Sequence, residues 1–191
     1  MVVFENIARE NLESIQPYTP GKSVAQAEAE LGVSGFIKLA SNENLLGVPF
    51  TSEALEVALK QMHVYPDIDN SDLMCLLQQH LNVDASQLVL GNGSDELILM
   101  LMLAFVNSGD EILTSEHTFS EYDFSAKVMG GVLKTVPMQH WCYHLDGFLS
   151  RVTERTKLIF IANPNNPTGT FVTKDRKSTR LNSSHLVISY A

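Results

Sequence analysis

The sequence predicts an α/β protein built on a mostly parallel sheet, and two observations carry that prediction. From residue 87 onward, short apolar runs of strand type alternate with segments of helical spacing. That is the pattern of successive βαβ units with right-handed crossovers. The composition, 45% hydrophobic and 18% charged over 191 residues, suits one globular domain of ordinary size and excludes a disordered or fibrous chain.

Taken in order, residues 5–15 and 24–31 have helical spacing, with Pro17, Pro20 and Gly21 punctuating between them. Residues 36–40 form a short apolar run of strand type. Residues 51–62 carry Leu55, Val57, Ala58 and Met62 as a helical apolar set. Thr51 or Ser52 can cap that helix, and Glu53 and Glu56 suit the positive end of its dipole. Tyr65-Pro66-Asp67 breaks the chain before a second helix over 71–81. The alternation then becomes regular: a strand at 87–90, a helix at 95–106, a strand at 111–114 and a helix at 120–129. A strand at 132–136, a short helix at 147–152 and a buried strand at 157–162 complete it.

Asp and Glu total 22 against 13 Lys and Arg, a formal charge of −9. Such a surface repels phosphate backbones, which argues against a nucleic-acid partner. The longest apolar stretches, such as 97–106, fall short of the roughly 20 residues a membrane span needs, so no membrane partner is expected. Residues 1–10 have acids early and no basic region before an apolar core, unlike a secretory signal. Cys75 and Cys142 form neither a C-x-x-C motif nor a metal-ligand spacing and read as reduced thiols of a cytoplasmic protein. No metal site is expected.

Residues 175–191 stand apart, with basic residues outnumbering acids and no amphipathic period. The run from Asp175 to His185 resembles one translated reading frame of a common indexed sequencing adapter, and 186–191 resembles its continuation. The segment therefore reads as a non-native, adapter-derived tail, with natural sequence ending near Lys174.

Two motifs have the chemistry of a ligand site. Gly91-Asn92-Gly93-Ser94-Asp95-Glu96 sits between an apparent strand and a helix, where glycines let backbone approach an anion. The free N–H groups of a first helical turn, with the Ser94 hydroxyl, can bind phosphate. The same letters also serve as an ordinary turn capped by Ser94 or Asp95. They are not a Rossmann fingerprint, because Glu96 holds the third glycine position. Asn163-Pro164-Asn165-Asn166-Pro167-Thr168-Gly169 follows an apolar strand, at the end where parallel α/β sheets hold ligands. Its prolines restrict the backbone, and Asn165 and Asn166 offer amide donors and acceptors. Ser41-Asn42-Glu43-Asn44 and His117-Thr118-Phe119 also follow strand-like runs. Phe119 suits either a core or a stacking platform.

In this order the pieces resemble the pyridoxal-phosphate-dependent aminotransferases of fold type I, with histidinol-phosphate aminotransferases as the nearest subgroup. The match also includes Pro17-Tyr18-Thr19-Pro20-Gly21-Lys22, Lys38-Leu39-Ala40 and Tyr65-Pro66-Asp67, and spans residues 10–174. The resemblance implies a partial doubly wound, mostly parallel sheet: residues 1–35 an N-terminal helical arm, 36–174 a truncated large domain. It implies pyridoxal 5′-phosphate as cofactor, with phosphate on Gly93, Ser94 and Asp95, ring stacking on Phe119, and Asn166 on the 3′ oxygen. Tyr65 would reach the phosphate of the neighbouring subunit in a homodimer. Tyr18 and Asn44 would line the substrate pocket, and the Asn166–Pro167 bond would be cis.

The implied substrates are an amino acid and a 2-oxo acid, with histidinol phosphate and 2-oxoglutarate first, in histidine biosynthesis. An aromatic amino-acid aminotransferase, a threonine-phosphate decarboxylase, and a non-catalytic phosphate-binding α/β module remain the alternatives. Leu45 and His117 stand where the family usually has proline, and Phe119 where it often has tyrosine. The family's Schiff-base lysine lies beyond the Asn-Pro-Thr-Gly loop. Lys22, Lys38, Lys60, Lys127, Lys134, Lys157, Lys174 and Lys177 all fall outside its motif. No catalytic residue is therefore expected in this chain, which should be inactive alone.

Overall fold

The structure is a computed structural model that describes residues 7–16, 21–41, 43–173 and the backbone of Leu186–Ile188. Two units divide it: residues 17–88, and residues 1–16 with 89–191.

The unit of residues 17–88 is helical. α1 (Val24–Leu31) starts on a capping box in which the Ser23 hydroxyl accepts the Gln26 N–H and the Gln26 side chain accepts the Ser23 N–H. It stops at Gly32, whose φ of +65° is a left-handed turn that a glycine adopts without penalty. α2 (Ser52–Gln61) begins on Thr51, whose hydroxyl accepts the Ala54 N–H. α3 (Ser71–Leu81) runs between Asn70 and Asn82, both at positive φ, where asparagine is the most tolerant residue with a side chain. The run 36–40 is not a strand: Phe36, Ile37 and Leu39 are exposed, and among the described residues no backbone pairs with the run. An apolar run becomes a strand only when another backbone completes its hydrogen bonds, and none does so here.

The second unit holds the sheet. β1 (Glu111–Ser115) pairs in parallel with β2 (Val132–Val136) on one side and β3 (Thr156–Phe160) on the other. β4 (Leu186–Ile188) adds to the far edge of β3, Leu158 opposite Leu186, giving the order β2-β1-β3-β4. That edge strand comes from the tail that sequence reading leaves out of the fold. An open edge of β3 presents a row of unpaired backbone groups, and a short apolar run such as Leu-Val-Ile suits it. Residues 87–90, expected as a strand, instead form the end of a short 3-10 turn (Ala85–Gln87) and extended backbone without a partner.

Helices cover both faces, as the doubly wound expectation requires. α4 (Gly93–Phe105) and α5 (Glu121–Met129) bury Ile98, Met102, Tyr122 and Ala126 against Ile112, Leu158 and Phe160. α6 (Leu145–Leu149) buries Leu145 and Phe148 with Leu113, Val136, Ile159 and Ile161 on the opposite face. The alternation of Leu158, Ile159, Phe160 and Ile161 between faces is the two-residue period of a strand buried on both sides. The chain steps outward from β1 to β2 and then back across β1 to β3. Right-handed connections in opposite directions put α5 and α6 on opposite faces. α6 begins two residues earlier than its sequence signals suggest. Gly147 lies inside it, where a Cβ would stand 2.7 Å from Val136 Cγ1, so a larger residue there would force a neighbour to shift. Among the described residues 7–16 of this unit there is a 3-10 turn, Glu10–Ser14, in place of the helix expected over 5–15, and Asn11 Nδ2 caps the end of α5 on the Val128 carbonyl at 2.8 Å. Among the described residues no helix is long and apolar enough to cross a membrane.

Two groups set the stability of the sheet. Phe160 is fully buried and stacks on Tyr122 at a centroid distance of 4.6 Å. Phe160→Ala is expected to cost about 3–5 kcal/mol by emptying that volume, measured by urea unfolding. Glu111, at the opposite end of β1 from the loops described below, is held by the Thr153 hydroxyl at 2.7 Å and the Arg155 guanidinium at 2.9 Å. The Thr153 hydrogen bond first, then the charges of Arg155 and Lys134, hold its carboxyl below the usual range against the cost of burial. An acid depressed in the folded state contributes stability above its unfolded pKa, about 4.3, and loses it as pH falls through the folded value. The stability advantage of the parent chain over Glu111→Gln should therefore be full above that pH and shrink below it, in paired denaturation curves.

Candidate functional site

Three segments meet the C-terminal edge of the sheet or the helix before it. They are the N-terminus of α4, the 116–120 loop after β1, and the 161–173 loop after β3. The chain leaves β1 toward β2 on one flank, and β3 is followed by β4 on the other flank. The crevice between the ends of β1 and β3 is thus a topological switch point, where connections diverge and leave room for a ligand.

At the start of α4, Gly93 has φ +84° and nothing within 4 Å of where a Cβ would stand. The turn before it is held from within. The Glu96 carboxylate accepts the Asn92 N–H at 2.6 Å and the Asn92 side-chain amide at 3.1 Å. Those bonds, the backbone one first, hold the Glu96 carboxyl below its ordinary value. Gly91 is required there, since a Cβ would lie 2.9 Å from Leu97 Cδ2 and 3.0 Å from the Glu96 carboxylate. With Glu96 folded back onto Asn92, the N–H groups of the first turn, which no helix satisfies internally, lie beside the half-buried Ser94 hydroxyl, a set of donors that could serve as an anion cradle. Ser94 Oγ has only a long 3.5 Å contact to Asp95. The Asp95 charge also reaches α5: Glu121 is pushed up mainly by burial, with Asp95 adding to it and the Ser125 hydroxyl opposing.

After β1, Phe119 is half-buried and meets Tyr122 edge to face at 5.8 Å. After β3, both X-Pro bonds of the loop, Asn163–Pro164 and Asn166–Pro167, are cis. The second is the one the resemblance implies. The loop closes on itself through Asn165 N–H to Thr170 O and Gly169 N–H to Asn165 O, both 2.8 Å. Buried Asn165 then ties it to the β1 loop, donating to His117 O at 3.1 Å and accepting from Thr118 Oγ1 at 2.8 Å. Asn166 is exposed, and its amide makes no hydrogen bond among the described residues.

Phe119 and Asn166 are therefore joined through their neighbours, and Gly93, Ser94 and Asp95 belong to the same unit. Asn44 and Tyr65 belong to the other. Asn44 Oδ1 accepts the Leu46 N–H at 3.0 Å as a local turn. Tyr65 is 97% exposed, before a turn in which Asp67 accepts the Ser71 N–H at 2.8 Å. Tyr18, Asn42, Lys174 and Lys177 lie outside the described residues. Of the lysines in the sheet unit, Lys127 pairs with Asp123 in α5, Lys134 neighbours Glu111, and Lys157 is exposed near the start of β3. Sequence reading missed Tyr143, whose hydroxyl touches both loops. Its partners are 25 and 22 residues away, and no local spacing marks it.

A family model for aminotransferase class I and II matches residues 34–178. The chain belongs to this family. Within it, the chain is similar to the histidinol-phosphate aminotransferase of Moorella thermoacetica, 46% identical over 165 residues, which are 86% of this chain and 43% of that protein. It is also similar to histidinol-phosphate aminotransferase 2 of Haemophilus influenzae, 40% identical over 169 residues, 88% of this chain and 46% of that one. The chain thus spans less than half the length of these curated relatives. Among solved structures, it is similar to histidinol-phosphate aminotransferase from Sinorhizobium meliloti in complex with pyridoxal-5′-phosphate. The TM-score is 0.82 at 24% identity, covering 94% of this chain and 49% of that one, a likeness of fold. The partial parallel sheet with helices on both faces is that of a fold type I aminotransferase.

In this aminotransferase chain the backbone of Gly93 is the most specific feature of the α4 cradle. Gly93→Ala should cost about 1–2 kcal/mol, because a Cβ in the left-handed region is strained even where space is open. Gly93→Asn should cost less, since asparagine tolerates that region better. Urea unfolding of the two variants beside the parent checks the order.

Proposed function

We propose that these loops form the phosphate and ring side of a pyridoxal 5′-phosphate pocket. The protein that carries them would be a histidinol-phosphate aminotransferase, moving an amino group between histidinol phosphate and 2-oxoglutarate in histidine biosynthesis. The observation that carries this reading is the tie between the two strand-end loops, which holds Phe119 and Asn166 at one switch-point crevice. The resemblance of the chain to histidinol-phosphate aminotransferases over most of its length supports the choice of substrate.

The residues present fit the cofactor. The Ser94 hydroxyl, with the first-turn N–H groups of Ser94 and Asp95, offers donors to a phosphate at the positive end of α4, while Gly93, whose N–H bonds the Gly91 carbonyl at 2.9 Å, supplies the open left-handed turn that leads into it. Phe119, held from behind by Tyr122, offers a flat apolar surface to an aromatic ring. The unengaged Asn166 amide offers a donor to a phenolic oxygen. Pyridoxal phosphate, when bound, supplies an electron sink for bond changes at the amino acid's α-carbon. The chain's own residues bind its phosphate, keep its ring in one plane and hold a proton donor on its 3′ oxygen.

On this reading Tyr18 and Asn44 serve the substrate, and Tyr65 serves the cofactor phosphate of a second copy in a homodimer. The Schiff-base lysine comes from sequence outside residues 1–174, in keeping with where Lys127, Lys134 and Lys157 lie. A cytoplasmic biosynthetic enzyme is the matching setting.

The test is the longer protein mixed with pyridoxal phosphate and assayed against histidinol phosphate, aromatic amino acids and threonine phosphate. A visible cofactor band, with histidinol phosphate the preferred donor, is expected. Ser94→Ala should weaken cofactor binding about 10- to 100-fold, the worth of one hydrogen bond to a charged group. Phosphate binding with no cofactor band would overturn the reading in favour of a phosphate-binding module.

A further inference from the structure

One buried phenol joins the two loops. Tyr143, 5% exposed, comes from the segment between β2 and α6. Its hydroxyl lies 2.6 Å from Thr118 Oγ1 and 3.0 Å from Asn165 Oδ1, and it accepts the Ala162 N–H at 3.1 Å. Thr118 directly precedes Phe119, and Asn165 directly precedes Asn166. We propose that Tyr143 is a positioning residue: through Thr118 and Asn165 it fixes the stacking ring of Phe119 and the amide of Asn166 relative to each other. This deepens the pyridoxal phosphate reading above and rests on it.

Neither functional side chain is fixed by its own polar contacts. Asn166 has no hydrogen bond among the described residues, and Phe119 is held by apolar packing alone, edge to face on Tyr122 and against the buried cluster of α4, α5 and the sheet. What holds them is the backbone on either side. The β3 loop is closed by its own bonds, so it moves as one piece. Its side-chain attachments to the β1 loop run through Asn165, with Tyr143 bridging Asn165 and Thr118. Two hydroxyl protons serve three crowded oxygens, an arrangement with one tight geometry. Removing the phenol oxygen also takes the acceptor from the buried Ala162 N–H, at the point where β3 becomes the loop.

The consequence is specific to the ring end of the pocket. A donor on a phenolic oxygen favours its ionised form. A displaced Asn166 would therefore let the cofactor hold its proton to higher pH. The Tyr143 hydrogen bonds described above run to Thr118, Asn165 and Ala162, at the ring end of the pocket, so phosphate anchoring at α4 should be spared.

The experiment compares the longer protein with its Tyr143→Phe and Thr118→Val variants. Expected for both are an approximately tenfold weaker pyridoxal phosphate affinity and an upward shift in the pH midpoint of the bound cofactor's visible absorbance. Turnover should fall more than KM rises, while competition by inorganic phosphate stays unchanged. Trp141, the chain's single tryptophan, has its carbonyl bound by Thr170 Oγ1 in the same loop, so its fluorescence gives a binding readout independent of activity. A lowered melting temperature with unchanged affinity and midpoint would overturn the proposal. Thr118→Val carries the same decision if Tyr143→Phe fails to fold. Absence of any cofactor band in the unsubstituted protein would instead overturn the pocket reading itself, and this proposal with it.

Discussion

Parallel pairing of β1 with a neighbour on each side aligns the C-terminal ends of three strands on one edge, and the candidate site follows from that alignment. The strand after β1 lies on one flank of it and β3 on the other, so the loops leaving β1 and β3 face each other across a crevice at the switch point. Loops there carry backbone polar groups that the sheet does not satisfy. Here Asn165 of the 161–173 loop satisfies the His117 carbonyl of the 116–120 loop, the Tyr143 hydroxyl satisfies the Ala162 N–H, and side-chain bonds among Thr118, Asn165 and Tyr143 tie the two loops together. The opposite edge is closed differently, by a charged cluster around Glu111. One end of the sheet is thereby locked by ion pairing, while the other keeps exposed amide and backbone donors.

On the proposed reading, the α4 turn and the loop pair serve different ends of the ligand. Glu96 is turned back onto Asn92, which keeps an acidic first turn compatible with an anion: the carboxylate spends its acceptors on the turn. Gly91 permits that closure and Gly93 the left-handed backbone beside it, so the two glycines serve different constraints. On the same reading the ring side relies on the Phe119 ring, packed against Tyr122, and on the Asn166 amide, both weak individually and useful only at a fixed separation.

Much of this was legible in the residues. β1, β2 and β3, α4 and α5 lie within a few residues of their predicted places, because each combines apolar periodicity with a cap, a glycine or an acidic first turn. The two strand-end motifs were legible for the same reason. The failures share a cause. Residues 36–40 and 87–90 have the composition of strands but no pairing backbone, and a strand is a relation between two segments. β4 is the converse case, a tripeptide with little signal that gains its state from the open edge of β3. Tyr143 was invisible because its role is made by Thr118 and Asn165, distant in sequence, and a single buried tyrosine between a strand and a helix looks like core.

His117 is where family likeness and local physics part. The resemblance expects proline there, which would fix φ near −65°. His117 has φ +51°, a region closed to proline, and Trp141, facing it at a ring distance of 5.3 Å, has φ +61°. Two bulky residues in the left-handed region need external support. Each has it: Asn165 Nδ2 holds the His117 carbonyl, and Thr170 Oγ1 holds that of Trp141. Both donors belong to the β3 loop, so the loop that presents Asn166 also sustains the strained approach to Phe119. His117 and Trp141 thus keep their left-handed backbone through hydrogen bonds that tie both of them to the loop carrying Asn166.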